Sequence, residues 1–176
     1  MKFIRRSLVV LGLSLFAISS GLAQETCKRY VEPGFWLCVP DGWSVETQAD
    51  QKFKAFFAPA AETFTANINL RDESSSASLT SYVADSIKRI LSNPPTIAAT
   101  SIKLVGWTDF ATASGVTGNK VIFETEHQGL LIRTVQYYLA AGQSRKFIVT
   151  GTCLVKDKDT FDSVFERAAK SLRLDN

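Results

Sequence analysis

Apolar and polar positions recur along the chain with two different periods, and the changes of period mark its elements. Between residues 64 and 70, Phe64, Ala66, Ile68 and Leu70 alternate with Thr65, Asn67 and Asn69. A period of two with a polar second face predicts a strand covered on one side. From Leu79 the spacing becomes three and four, and Leu79, Tyr82, Val83, Ile87, Ile90 and Leu91 fall on one helical stripe. Ser78 offers an N-cap oxygen, Lys88 and Arg89 suit the negative end of the helix dipole, and Asn93-Pro94-Pro95 forbids continuation. A second helix is predicted over residues 160–172, capped by Asp159, with Phe161, Val164, Phe165, Ala168 and Leu172 forming its apolar face.

The remaining apolar runs read as strands. Residues 35–39 (FWLCV) make a short one, closed by the turn Pro40-Asp41-Gly42, after which Trp43 and Val45 restart an extended segment. Residues 53–58 pair with 64–70. After Thr100, residues 101–110, 116–125, 130–140 and 145–153 form an antiparallel meander, with His127-Gln128-Gly129 as one of its turns. In the third of these, Leu131, Val135, Tyr137 and Leu139 lie on one face and Leu130, Ile132 and Tyr138 on the other, which predicts a central strand covered twice. The expected fold class is α+β: an antiparallel sheet of about six to seven strands sandwiched by helices, because neither helix can bury its stripe alone.

The first 23 residues stand apart. A basic head (Lys2, Arg5, Arg6), an apolar run over residues 7–17, and the small-residue site Gly21-Leu22-Ala23 read as a secretory signal peptide. The run is too short for a membrane span. Cleavage near Ala23 would send the chain to the periplasm or the extracellular space, and leave residues 24–176 as a single domain. It also changes the charge. The leader holds the whole +3 excess, leaving 17 basic residues against 17 acidic ones. A neutral exported domain has no field with which to gather nucleic acid or an anionic membrane.

Export places Cys27, Cys38 and Cys153 in an oxidising compartment. A two-residue turn at Glu32-Pro33 would set Cys27 opposite Cys38. A bond from either to Cys153 stays open, since loop entropy favours the longer closure by only about 1.5 kcal/mol.

Catalytic chemistry is sparse. His127 is the one histidine, and it falls in an expected turn. No nucleophile-elbow, zinc-protease or Ser-x-x-Lys motif occurs. Asp157, Asp159 and Asp162 are interleaved with Lys156 and Lys158 and read as a helix cap rather than a calcium loop. Asp72-Glu73 reads as a loop pair. The sequence therefore predicts no catalytic residue, no metal site and no cofactor. Among the aromatics, Tyr30, Trp36 and Trp43 stand out, and Tyr30 with Trp36 is a candidate recognition patch.

FWLCVPDGW, FTANINL, SLTSYVADSIKRIL, LLIRTVQYYLAAGQSRKFIVTGTC and DTFDSVFERAAKSLRL, taken together, resemble the PsbP-like superfamily over residues 33–174. That fold is shared by the photosystem II extrinsic protein, a Ran-binding nuclear-import protein and DcrB-type bacterial envelope proteins. Pro40-Asp41-Gly42-Trp43 matches the family's Pro-x-Gly-Trp at a strand end. The resemblance implies an α-β-α sandwich without intrinsic catalysis that works by docking onto a larger assembly, with Asp41, Gly42 and Trp43 fixing a corner and plugging the core.

The resulting expectation is an exported non-enzymatic domain acting by protein–protein contact, accessory to a bacterial envelope complex, whose partner is another envelope protein. Two other readings stand beside it. One is a periplasmic small-ligand carrier with a cleft lined by Tyr82, Trp107 or Tyr138; the other is an enzyme of unrecognised design.

Overall fold

The computed structural model describes residues 27–32, 34–47, 52–93 and 99–174. The leader read from residues 1–23 lies outside them. In chain order the elements are β1 (Cys27–Glu32), β2 (Phe35–Pro40), β3 (Ser44–Glu46), β4 (Ala55–Phe57), β5 (Asn67–Ser74), α1 (Leu79–Ser92), β6 (Ala99–Ala111), β7 (Thr117–His127), β8 (Leu130–Ala141), β9 (Arg145–Leu154), a 3-10 turn (Val155–Asp157), α2 (Lys158–Ser171) and β10 (Arg173–Leu174). The large sheet has seven strands in the order β3-β4-β5-β9-β8-β7-β6, and a smaller sheet has the order β1-β2-β10. Every pairing is antiparallel.

Strand alternation sorts the core into two layers. Val135, Tyr137 and Leu139 of β8, with Phe147 and Val149 of β9, point to one side, where they meet Phe165 and Leu172 from the α2 end of the chain and Phe35, Leu37 and Val39 of β2. Tyr138 and Ile148 point the other way, with Val121 and Phe123 of β7, and pack under Tyr82, Val83 and Ile87 of α1. Residues 135, 137, 138 and 139 are all fully buried, so β8 is covered on both faces. The small sheet lies on the α2 side, joined there through the edge-on contact of Phe35 and Phe147 at 5.3 Å.

Helix α1 starts where its cap dictates, with the Ser78 hydroxyl accepting from the Ser81 N–H at 3.2 Å. Helix α2 departs from expectation: a 3-10 turn leads into it, Asp157 occupies the cap position without a side-chain bond, and Asp159 falls inside the first turn. Strand β5 also differs. It begins at Asn67 and runs through Asp72 and Glu73, the expected loop pair, because β9 pairs with it as far as Arg145. Asp72 is accommodated there by Lys52 at 2.9 Å and Arg145 at 2.7 Å. His127 ends β7 opposite Leu130, so only Gln128 and Gly129 form that turn.

Candidate functional site

The small sheet forms because β1 and β10 pair with the two edges of the same short β2. Phe35, Leu37 and Val39 are at most 1% exposed and face the core, which obliges Trp36, Cys38 and Pro40 to face outward. Glu32 pairs with Phe35, so residues 33–34 make the connection, one position later than the turn expected at Glu32-Pro33. The reason is backbone geometry: the turn requires a positive φ, and Gly34 supplies it at 92° where a ring-locked proline cannot. With that register Cys27 stands opposite Pro40 and Cys38 opposite Arg29, two positions apart along the ladder.

On the outer face Val31 of β1 is the cross-strand partner of Trp36, and Arg173 of β10 is its partner from the other side. Val31 is 58% exposed. The Arg29 guanidinium lies 4.4 Å from the Trp36 ring centroid and that of Arg173 lies 5.0 Å from it. Each such contact contributes about 0.5–1 kcal/mol at an exposed site. Together they hold the indole in place and set two positive charges on an apolar knob. The end of α2 is stitched to this sheet by the Cys38 N–H, which donates to the Ser171 hydroxyl at 2.7 Å.

Tyr30 does not join Trp36. It pairs with Leu37 and so faces inward, where its ring meets Phe56 edge-on at 5.0 Å and its hydroxyl donates to the Glu32 carboxylate. Burial, reinforced by Glu32, raises its phenol above the ordinary value. The Pro40-Asp41-Gly42-Trp43 segment is a turn closed by the Trp43 N–H donating to the Pro40 carbonyl at 3.3 Å, with Gly42 at φ 78°. Trp43 is half-buried and edge-on to Phe161 of α2, with centroids 6.2 Å apart.

The other reactive side chains do not converge. Cys153 is a free thiol at 0% exposure, and burial pushes it up to about 12, which denies it a thiolate at neutral pH. His127 has a buried Nδ1 bonded to none of the described residues. Among the described residues no group of three or more His, Cys, Asp or Glu is placed to hold a metal ion. Asp162 is committed to Arg133, which it receives through both oxygens at 2.9 and 2.7 Å, while Glu124 takes the same guanidinium at 2.9 Å. Asp162 foremost raises the Arg133 pKa. Beside it Glu166 binds Lys120 at 2.8 Å and Lys170 at 2.7 Å. This charged layer between α2 and the sheet was not anticipated. Its signal was the spacing of Asp162, Glu166 and Lys170, four residues apart on one helix face.

Tyr82 and Tyr138 belong to the core beneath α1. They are buried, edge-on to each other with centroids 6.0 Å apart, and their hydroxyls are engaged by Glu73 and Gln136. Trp107 is 42% exposed and borders a shallow cleft with Thr80, Thr108, Asp109 and Asn119.

No protein-family profile matches the chain, and no curated protein matches its sequence. Solved structures do. The solution structure of cyanobacterial PsbP (CyanoP) from Synechocystis sp. PCC 6803 is 12% identical, with a TM-score of 0.66 over 88% of this chain and 96% of that one. LpqN, involved in cell envelope biogenesis of Mycobacterium tuberculosis, is 15% identical, with a TM-score of 0.63 over 87% and 91%. PA94 of Pseudomonas aeruginosa, of unknown function, is 18% identical, with a TM-score of 0.58 over 85% and 98%. The fold is therefore PsbP-like, as the sequence resemblance implies. No helix among the described residues is long and apolar enough to cross a membrane.

Proposed function

We propose that this chain is an exported, non-enzymatic domain that acts by protein–protein contact as an accessory to a complex of the bacterial cell envelope, after loss of residues 1–23. The observation that carries the reading is the outer face of the small sheet, where Trp36 is clasped between Arg29 and Arg173 beside exposed Val31. Tryptophan and arginine dominate the energy of protein interfaces because both bury large areas while keeping directed polar contacts. Two arginines beside an apolar knob select a partner that offers carboxylates around an apolar recess. Cell envelope biogenesis, named for LpqN, is compatible with that role. Residues 24–176 then form one domain, and Cys27 pairs with Cys38 at the edge of the docking face. The free, buried state of Cys153 supports that pairing over one that uses Cys153.

A photo-crosslinking residue at position 31, introduced into the full chain in its own cell envelope, tests the contact. One discrete adduct is expected, lost on Arg29→Glu with Arg173→Glu in a variant of unchanged melting temperature, and absent with the same probe at exposed Lys88. Equal adducts at both positions, or an adduct indifferent to the charge reversals, would refute the reading.

A further inference from the structure

Strand β6 is one of the two edge strands of the large sheet, and it carries a register shift between Leu104 and Gly106. Leu104 pairs with Phe123, yet Gly106 pairs with Ile122 and Trp107 with Val121, so one extra residue has been inserted at Val105. A bulge reverses the facing of every residue beyond it. Without it Trp107 and Asp109 would point to the α2 side; with it they share the α1 side with Val121 and Asn119. The result is a cleft of about 490 Å³ between the first turn of α1 and the sheet edge, lined by Thr80, Trp107, Thr108, Asp109 and Asn119.

The lining is chemically selective. An exposed indole forms one wall, and the polar side chains of Thr80, Asp109 and Asn119 stand around it, with Thr108 between the two sheet residues turned to the other face. Asn119 is only 8% exposed, and its amide donates to one oxygen of Asp109 at 3.2 Å, which fixes the carboxylate's orientation. A purely apolar ligand would strand these polar groups. A quaternary ammonium would want several aromatic walls, and there is one. A ring with an apolar C–H face and hydroxyls around its rim satisfies both halves. We propose that the cleft beside Trp107 binds a neutral saccharide, with one pyranose ring stacked on the indole and its hydroxyls donated to Asp109 and shared with Asn119 and Thr80.

The site lies on the α1 side of the large sheet, whereas the Trp36 face belongs to the small sheet on the α2 side, so either proposal can fail without the other. The full chain is titrated with cellotetraose, maltotetraose and the N-acetylglucosamine tetramer by calorimetry, each to about 10 mM so that millimolar binding registers. The N-acetylated arm reads an amino-sugar glycan and the other two a plain glucan. At least one is expected to bind, about tenfold more weakly in Trp107→Ala, where the stacking wall is gone, and in Asp109→Ala, but equally in Trp36→Ala. No binding by any of the three, binding indifferent to Trp107→Ala in a folded variant, or Trp107-dependent binding of tetramethylammonium alone would overturn the proposal.

Discussion

Phe165 of α2 lies directly on Gly151 of β9: a Cβ built on residue 151 would come within 2.3 Å of the phenyl ring. The closeness of helix and sheet on the α2 side is therefore set by the absence of a side chain at one position. Gly151→Ala is expected to lower unfolding stability by about 1–3 kcal/mol, the usual cost of overpacking a closed core. Urea denaturation checks it. Gly151→Ala with Phe165→Leu should recover part of the loss if the clash is the cause, and no recovery would place the cost elsewhere.

The charged layer yields an asymmetric prediction. Arg133 is 7% exposed, so Asp162→Ala leaves a nearly buried cation with Glu124 alone, at an expected cost of about 3 kcal/mol. Arg133→Met removes the buried charge itself and should cost less than Asp162→Ala. Chemical denaturation of the two variants side by side decides the order, and the reverse order would show that the pair contributes by packing rather than by charge.

How much of this was legible beforehand follows from which contacts are local. Helix α1 announced itself because its stripe, cap and stop all lie within residues 78–95. The doubly covered β8 was equally plain from its own alternation. Strand β10 was not, since Arg173 and Leu174 become a strand only by pairing with Trp36 and Phe35, some 137 positions earlier. Strand β1, CKRYVE, carries little apolar alternation and depends on β2 in the same way. Tyr30 and Trp36, read together from the sequence, lie on opposite faces of the hairpin. In any hairpin with a two-residue turn, facing residues have numbers summing to an odd value, and 30 and 36 do not; parity alone separates Tyr30 from Trp36. The cleft at Trp107 hangs on a bulge that no periodicity shows, because a single inserted residue leaves the strand's composition unchanged.

Acid dependence should follow two carboxylates. Burial alone would raise Asp72, but the hydrogen bonds from Lys52 and Arg145 outweigh it and hold the carboxyl below its ordinary value. Lys120, then Lys170, lower Glu166. A depressed folded pKa stabilises above the unfolded carboxylate value, about 4, and that stabilisation is lost as pH falls through the folded value. The melting-temperature gap between the wild type and Asp72→Asn should accordingly be full near pH 6 and close progressively below about pH 4. A gap independent of pH would remove the ionised carboxylate from the account.

Thiol counting tests the cysteine assignment. Under native, non-reducing conditions at about pH 8, where an exposed thiol of ordinary pKa reacts readily, no fast-reacting thiol is expected, because Cys153 is buried and its pKa raised. Unfolding without reductant should release one thiol, and unfolding with reductant three, the full cysteine content. Three without reductant would exclude the Cys27–Cys38 bond.

The face bearing Trp36 joins Arg29, on the first described strand, to Arg173, on the last. A chain that lacks only the two residues of β10 would therefore be unable to present the clasped indole. If the Trp36 face docks as proposed, recognition would read both of these strands at once and pass over any molecule in which β10 has not closed on β2.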